Sequence, residues 1–578
     1  MKNNQNNAKI TKGLIVCGVL VLSAISATWM LSEEVLDNHE CFVSVTTREM
    51  LQSGNWIMPT CNGLPRLQKT PLSYWFTSGI AKITGEVNEF SARMPSVIFA
   101  VLSAVVILYF VNQWLSFRIA ALSTCVWTTT LCYFNYSHNA RPEMALTFFV
   151  LLCFLSFYSA ITAQNRKRQI AYMVIFWVSF GLGNLAKGPA PLPLVLIPLF
   201  FYVAIFRQWR KLFNLASAAG LIIFLAIVLP WPLVIAHKVN WDLVIWKHEF
   251  VDRFFGTYAK GRYPLYFYFL IMFRYITPWV AFLPMALAAP FYKVWNKKRP
   301  VMQFLWLWFV VDLVFLTING GKRQHYILPS MPAMAILIGI LLEDMVFSQK
   351  AYERKFAVKI LQGHLAVAVV GIIIATVCIA KISPVNLHKM LILASVTIVT
   401  AAIIAALFAK GENGWGCVAI FAGVLVWTMI SYASFAAFMD GFKYSRDFSK
   451  EVAQIVPPTE NVIAYKHISS NFVHYFGKTV PVVSDINELY NHYQSGDWIV
   501  ATSGYIKELN RDNRFREVYH NNKADEIDKF RALFHKSAPL IKDDSDTSQD
   551  IFIPSENGYI PSQLLSARAC LQSFLPSR

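Results

Sequence analysis

The first apolar stretch of this 578-residue chain is followed by a segment rich in side chains that can move a proton or hold an anion. It runs from Asp37 to Trp75 and contains Asp37, His39, Glu40, Arg48, Glu49, Arg66, Lys69, Tyr74 and Trp75. A carboxylate or a histidine can act as a general base, and arginine and lysine bind phosphate. The segment therefore predicts an active-site loop, with a structured cap on a membrane bundle as the alternative.

An amphipathic pattern begins this loop, which we place at 33–75. Phe42, Val45, Met50 and Leu51 recur at near-helical spacing. An amphipathic helix that follows an apolar stretch is typical of a helix lying on the membrane surface. We therefore expect such a helix to carry several of the acids.

The composition of the whole chain is that of a polytopic membrane protein. Hydrophobic residues make up 56% and charged residues 15%, whereas soluble domains have about 45–50% and about 25%. The formal net charge of +18 sits largely in short loops between apolar runs, so membrane topology explains it better than nucleic-acid binding does. There is no metal-ligand spacing and no phosphate-binding loop, so the sequence indicates no cofactor and leaves a divalent-metal requirement open.

About thirteen stretches are long and apolar enough to cross a membrane. They lie near 13–32, 92–112, 118–137, 143–163, 169–186, 190–206, 213–235, 265–291, 302–319, 328–346, 360–380, 388–409 and 415–438. The first follows three lysines and lacks a small-residue cleavage site, which favours an uncleaved anchor over a signal peptide. The expected fold is mainly α, a transmembrane helical bundle over residues 1–438.

Basic loops predict the orientation of the bundle. The loops at 165–169, 207–211, 293–299 and 350–359 fall on the side of the N-terminus, and lysine and arginine mark the cytoplasmic side. A second set of cations breaks this pattern at outward helix ends: Arg48, Arg66, Lys69, Arg141, Lys187, Arg253, Arg262, Lys322 and Arg323. This set indicates a phosphate or pyrophosphate held at the outer membrane boundary, with separate charges touching lipid headgroups as the alternative.

The tail changes in composition and predicts a small α/β domain over 439–578. β-like runs at 461–466, 480–484 and 497–503 alternate with helix-like runs at 445–456 and 485–495. After about Leu540 the sequence is typical of a loop or a disordered stretch. We expect the tail to shape the substrate site or to bind a partner. Cys41 and Cys61 share the outward loop, where a disulfide between them is one possibility.

Several blocks resemble bacterial GT-C membrane glycosyltransferases related to protein O-mannosyltransferases and to lipid A aminoarabinose transferase. The blocks are the first loop, ARMPSVI (92–98), RPEMALTFF (141–149), NLAKGPAP (184–191), the Pro-Trp pair at 278–279 and GGKRQHYILP (320–329). The resemblance implies a multi-pass protein of the bacterial inner membrane with a periplasmic active site. It also implies an inverting transfer of a sugar from undecaprenyl phosphate to lipid A, another glycolipid or an exported protein.

The resemblance also implies roles for residues. The family has an Asp-Glu pair where this chain has His39 and Glu40, so Glu40 matches and Asp37 is the candidate for the missing acid. Glu40, with Asp37 or His39, would serve the acceptor, and Glu143 takes the place of a second family acid. Carrier phosphate would be bound by Lys69, Lys187, Lys322 and Arg323, and the cavity would be lined by Arg66, Tyr74, Arg141, His325 and Tyr326.

Structural explanations remain open for several of these residues. Glu143 could stabilise the N-terminus of a helix through the helix dipole, and Lys187 could extend its charged end to the membrane surface. His325 and Tyr326 could be ordinary residues of the membrane–water interface. Asp312 lies inside an apolar stretch and could join two helices. A secondary transporter would place its ionisable groups near the bilayer midplane in two related halves, and a scaffold would need neither Glu40 nor Lys69.

Overall fold

The computed structural model describes residues 2–209, 215–239, 263–352, 354–382, 387–440, 445–492, 498–509, 515–521 and 531–536, together with Lys247 and Asp252. The first part of the chain is helical: α1 (Lys2–Thr28), α2 (Asn38–Ser53), α3 (Leu72–Thr84), α4 (Glu89–Trp114), α5 (Phe117–Thr128), α6 (Leu131–Ser137), α7 (Glu143–Thr162), α8 (Arg166–Lys187) and α9 (Pro191–Ile205). It continues with α10 (Leu215–Val228), α11 (Pro230–Val239), α12 (Phe267–Ile276), α13 (Leu283–Ala288), α14 (Arg299–Ile318), α15 (Met331–Glu343), α16 (Arg354–Ile382), α17 (Leu387–Ala409) and α18 (Asn413–Asp440). The predicted mainly α, polytopic fold is thereby confirmed.

Ten helices in the described ranges are long and apolar enough to cross a membrane, or up to eleven if a bent pair counts as one span. Three of the predicted spans differ. Residues 118–137 form the two short helices α5 and α6, and the stretch at 190–206 forms a helix of 15 residues. The stretch at 265–291 bends by 116° between its two helical parts. Pro278 lies at that bend, and a proline has no N–H to donate to a continuing helix.

The outward loop contains the expected helix, but protein covers it. Asp37 is the N-cap of α2, and its Oδ1 accepts a hydrogen bond from the N–H of Glu40 at 2.8 Å. Most residues of α2 are buried, and the helix packs on α3 and on a helix of the tail. It therefore lies between two parts of the protein, not on a lipid surface.

A two-stranded hairpin follows α2, formed by β1 (Thr60–Cys61) and β2 (Leu64–Pro65). Glu49, 8% exposed, holds it: its carboxylate accepts from Thr60 Oγ1 at 2.6 Å and from Gly63 N–H at 3.2 Å. Gly63 has φ +76°, a conformation that suits glycine. Glu49 thus shapes the loop. Cys41 and Cys61 are both free thiols.

The tail is an α/β unit whose described part ends at Lys536. It contains α19 (Ser445–Ile455), β3 (Val462–Tyr465), α20 (Ser470–Phe476), β4 (Val482–Val483), α21 (Ile486–His492), β5 (Trp498–Thr502), α22 (Ser503–Leu509), β6 (Phe515–Asn521) and β7 (Arg531–Lys536). The strands form one sheet in the order β4-β3-β5-β7-β6, parallel for the first three and antiparallel for the others. The loop predicted after about Leu540 lies outside the described residues.

Helix α20 joins this unit to α2. Arg48 donates through Nη1 to the carbonyl of His474 at 2.9 Å and through Nη2 to that of Val473 at 2.8 Å. The Ser44 hydroxyl lies 3.0 Å from Nδ1 of His474. Arg48 thus satisfies carbonyl groups near the end of α20 and does not join the predicted set of phosphate-binding cations.

We predict that mild acid weakens this contact. Burial and, after it, the Arg48 charge lower the pKa of His474 to about 3, and Glu40 opposes them. The unfolded chain takes up a proton near pH 6.5, so stability is lost as the pH falls below that value. From about pH 7 to about pH 5 the free energy of unfolding should drop by about 2 kcal/mol through this group.

Thermal unfolding of the detergent-solubilised protein at the two pH values measures the effect. The His474→Gln variant keeps a hydrogen-bonding side chain but cannot be protonated in this range, so its stability should change less with pH. An equal drop in the variant would assign the acid sensitivity to other groups.

Candidate active site

Asp37 and Arg141 form an ion pair between the start of α2 and the segment before α7. Oδ2 of Asp37 contacts Nη2 of Arg141, and the two side chains are 28% and 23% exposed. Burial lowers the pKa of the Arg141 guanidinium, but the charges of Asp37, Glu143 and Glu40 outweigh burial, and the net shift is upward. Arg141 Nε is buried without a hydrogen-bond partner among the described residues.

His39 lies beside this pair. Burial and the Arg141 charge lower the pKa of His39, while Asp37 raises it, and Arg323 and Glu143 contribute in smaller measure. The imidazole is therefore neutral at neutral pH, as a proton acceptor must be. His39 follows Asp37 by two residues, in the first turn of α2.

Glu40 has a different environment from Asp37. It is 3% exposed, and its carboxylate accepts from Arg93 Nε at 2.9 Å and Nη2 at 3.1 Å. It also accepts from the N–H groups of Asp37 at 2.9 Å and Ala140 at 2.8 Å. Both oxygens of this carboxylate thus face donors of the protein, which leaves little room for a substrate hydroxyl beside them. The predicted catalytic role of Glu40 stays a prediction, and this geometry favours Asp37 instead.

Arg93 is the functional neighbour that the sequence analysis missed. It is 1% exposed and also donates through Nη1 to the carbonyls of Leu31 and Glu34, both at 2.8 Å. It therefore ties the end of the first apolar helix to the start of α2. A feature of the sequence pointed to it: Arg93 is the charged residue in the block ARMPSVI, near one end of a predicted membrane span.

A second ion pair joins α7 to the end of α8. Glu143 is the first residue of α7, and its Oε1 accepts from Lys187 Nζ at 3.0 Å and lies 3.5 Å from Nε2 of His325. Lys187 Nζ also lies 5.7 Å from the centre of the Tyr326 ring. Oε2 of Glu143 is buried and has no partner within the described part of the chain. These four predicted site residues are therefore brought together.

Lys69 and Lys322 belong to other segments of the chain. The hydroxyl of Thr70 accepts from the N–H of Gly188 at 3.0 Å, which places the neighbours of Lys69 and Lys187 in direct contact. Lys322 is 6% exposed, its Nζ donates to the Tyr263 carbonyl at 3.4 Å, and burial lowers its pKa. A cation that is poorly hydrated is well suited to bind an anion.

The remaining predicted residues have other surroundings. Arg66 stacks over Phe42 with its guanidinium 4.0 Å from the ring centre and donates to the Tyr74 hydroxyl at 3.1 Å. These contacts involve Phe42 of α2 and Tyr74 of α3, not the residues of the two ion pairs. Arg323 is exposed, and its carbonyl accepts from the Tyr268 hydroxyl at 3.0 Å. Arg253 and Arg262 lie outside the described residues.

Asp312 takes the structural role that we considered for it. It is fully buried, and its Oδ2 accepts from the Ser330 hydroxyl at 2.6 Å, which links α14 to the start of α15. Among the residues that the structure describes, no group of three or more histidine, cysteine, aspartate and glutamate side chains is arranged to hold a metal ion.

Comparisons with known proteins show what this chain resembles. Residues 68–233 match a family model described as dolichyl-phosphate-mannose-protein mannosyltransferase. ArnT from Cupriavidus metallidurans, solved with bound undecaprenyl phosphate, superposes with a TM-score of 0.76 over 91% of this chain and 99% of that chain, at 18% identity. The chain has the GT-C fold of ArnT.

Two curated relatives are similar in sequence to part of the chain. Both are named undecaprenyl phosphate-alpha-4-amino-4-deoxy-L-arabinose arabinosyl transferase, one from Serratia proteamaculans and one from Yersinia pestis, and each is 28% identical. The match to the Serratia protein covers 307 residues, 52% of this chain and 54% of that protein. The chain thus spans about half the length of the curated relatives that it matches. The chain is a multi-pass membrane protein with the fold of ArnT, and about half of it is similar in sequence to these transferases.

The different surroundings of Glu40 and Asp37 lead to a prediction. Glu40→Gln keeps the capping hydrogen bonds of α2 but leaves the buried Arg93 without its counter-charge, so the free energy of unfolding should fall by about 3 kcal/mol. Turnover per folded molecule should fall less than about 10-fold, because Asp37 remains to act as base. A thermal unfolding curve and a rate normalised to folded protein separate the two effects. A loss above about 100-fold in well-folded protein would return the catalytic role to Glu40.

Proposed function

We propose that this chain transfers a sugar from undecaprenyl phosphate to an envelope acceptor at the periplasmic face of the bacterial inner membrane. The observation that carries the proposal is the segment Arg141-Pro142-Glu143. Its arginine binds Asp37, and its glutamate binds Lys187, so one short segment joins a candidate base to a candidate phosphate-binding cation. The undecaprenyl phosphate bound to ArnT from Cupriavidus supports the choice of donor.

Each of the two ion pairs serves one half of the transfer reaction: one acts on the acceptor and the other on the departing phosphate. The acceptor oxygen attacks the anomeric carbon, the bond from that carbon to the phosphate oxygen breaks, and undecaprenyl phosphate departs. Asp37 takes the acceptor proton, with His39 next to it as a neutral second acceptor. Lys187, with Lys69 and Lys322 from adjoining segments and Arg323 at the edge, stabilises the negative charge that grows on the departing phosphate.

Glu143 has a supporting role in this scheme. Its contact with Lys187 fixes the ammonium group, and His325 and Tyr326 close the same space. Its unpartnered oxygen remains available to a hydroxyl of the sugar. We therefore propose Glu143 as a residue that orients the donor, and the side of the site that faces Asp37 as the place of the acceptor.

Lipid A or another glycolipid is the acceptor that we favour, because the curated relatives are named as aminoarabinose transferases. A phosphate acceptor is already anionic and needs little help from a base, which suits a site where His39 replaces the family acid. The second candidate is a serine or threonine hydroxyl of an exported protein, and the match of residues 68–233 to the mannosyltransferase model favours it.

Mass spectrometry of lipid A, envelope glycans and exported proteins from cells with and without this protein tests the proposal. We expect one sugar residue to be lost from a lipid acceptor in cells that lack the protein and to be restored by the wild-type chain. The Lys187→Met variant should fail to restore it. Unchanged lipids together with a lost protein glycan would favour the second candidate, and unchanged spectra throughout would contradict the enzyme.

A further inference from the structure

Helix α20 of the tail contacts both residues that flank Asp37. The N–H of Leu36 donates to the Tyr475 hydroxyl at 2.9 Å, and the carbonyl of Leu36 accepts from Asn471 Nδ2 at 2.9 Å. On the other flank, the side-chain oxygen of Asn38 accepts from the N–H of Ser470 at 2.9 Å. Three hydrogen bonds to α20 therefore hold the residues on either side of the candidate base, two through the backbone of Leu36 and one through the side chain of Asn38.

These contacts are shielded from water. Leu36 is 0% exposed and Asn471 is 8% exposed. The side chain of Tyr475 packs against a small apolar cluster that includes Leu36, Cys41 and Ala140. A hydrogen bond in such surroundings is stronger than one exposed to solvent, and the loss of one partner leaves the other unsatisfied.

The Tyr475 hydroxyl also reaches the membrane bundle. It accepts from Leu36 and donates to Oε1 of Glu89, at 2.9 Å, at the start of α4. Asn471 and Tyr475 are four residues apart, so they lie on one face of α20. This face of α20 therefore makes hydrogen bonds both to the turn before α2 and to the start of α4 in the membrane bundle.

We propose that Asn471 and Tyr475 are positioning residues that hold Asp37 against Arg141, so that the tail domain completes the active site. The proposal rests on the transfer function given above. The two side chains touch neither donor nor acceptor; they act through the backbone of Leu36. When they are removed, the turn that carries Asp37 gains freedom, and the ion pair with Arg141 loses its fixed geometry.

The alternative is that α20 only attaches the tail to the bundle, and the chain offers a matched control for it. Asn62 belongs to the same interface, far along the loop from Asp37. Its side chain donates to the Val480 carbonyl at 2.7 Å and accepts from the Val480 N–H at 2.8 Å. Asn62 has φ 55°, so Asn62→Gly removes both hydrogen bonds without backbone strain. Tyr475→Phe likewise removes two hydrogen bonds, those with Leu36 and Glu89.

Two measurements on the full-length protein in nanodiscs test the proposal. Hydrogen exchange of the amides at 36–40 should become at least about 10-fold faster in Tyr475→Phe and Asn471→Ala and should stay unchanged in Asn62→Gly. With an undecaprenyl phosphate-linked sugar as donor and a hydroxyl group as acceptor, kcat should fall about 10-fold or more in the first two variants, while KM for the donor stays within about 2-fold.

The outcomes separate a positioning role from simple attachment. Equal effects of all three variants on kcat, or normal kcat in Tyr475→Phe with faster exchange, would overturn the proposal. A rise in KM without a fall in kcat would also overturn it. If the wild-type chain transfers no sugar, the proposed function is contradicted, whatever the variants do. Faster hydrogen exchange in Tyr475→Phe would then show only that Tyr475 stabilises the fold around Asp37.

Discussion

The Asp37→Asn variant should transfer sugar to a hydroxyl acceptor about 10²–10⁴-fold more slowly than the wild-type chain. Asparagine cannot take a proton, and it gives Arg141 a neutral partner. It is nevertheless a good N-cap, so α2 should begin at the same residue, and folding should be little changed. The measurement is kcat in proteoliposomes with a saturating lipid-linked sugar, alongside a thermal unfolding curve.

A comparison of a hydroxyl acceptor with an ionised acceptor tests whether Asp37 acts by removing a proton. With a phosphate acceptor there is no proton to remove, so the same variant should slow the transfer much less. Asp37→Ala serves as a control because it removes the cap as well as the base, and it should lower stability by about 1 kcal/mol while matching the loss in kcat. Wild-type rates in Asp37→Asn with a hydroxyl acceptor would exclude Asp37 as the base.

The Lys187→Met variant should lose both carrier binding and stability. Lys187 and Glu143 have side chains 11% and 7% exposed, so removing the cation leaves a buried carboxylate without its counter-charge. The expected decrease in the free energy of unfolding is about 3–5 kcal/mol. Affinity for undecaprenyl phosphate should fall by about 10-fold or more, because a charge-assisted contact contributes at least about 1.5 kcal/mol.

The double variant Glu143→Gln/Lys187→Met separates the two effects. The uncharged pair should recover most of the lost stability, because no buried charge is left unpaired. Carrier binding should stay weak, since the ammonium group is still missing. Recovery of both properties in the double variant would show that Lys187 serves Glu143 alone and does not contact the carrier.

The helices and the class of the tail could be predicted from composition and periodicity. Breaks inside an apolar stretch were harder to predict. Residues 118–137 are apolar enough for one span, but Thr130 caps a second short helix, and its hydroxyl accepts from the N–H of Tyr133. Hydropathy averages over such a cap, so it does not reveal that these residues form two helices. The surroundings of α2 could not be predicted either, because the covering helix α20 lies more than four hundred residues later.

Local pattern also left open which acid would act as base. Asp37 and Glu40 are three residues apart, and the resemblance placed Glu40 first, with Asp37 or His39 beside it. Tertiary contacts separate them: Arg93 and the N–H of Ala140 hold Glu40, whereas Asp37 meets Arg141. The resemblance assigned Glu143 and Lys187 to one site from separate blocks, but only the structure shows that the two side chains form an ion pair.

An experimental structure of this chain with undecaprenyl phosphate bound tests the central claim most directly. The claim is that Asp37–Arg141 and Glu143–Lys187 form two sides of one site around the carrier headgroup. We predict a phosphate oxygen about 3 Å from Lys187 Nζ, with Asp37 facing the anomeric position across the same space. A headgroup bound more than about 10 Å from Lys187, or separated from Asp37 by packed side chains, would contradict it.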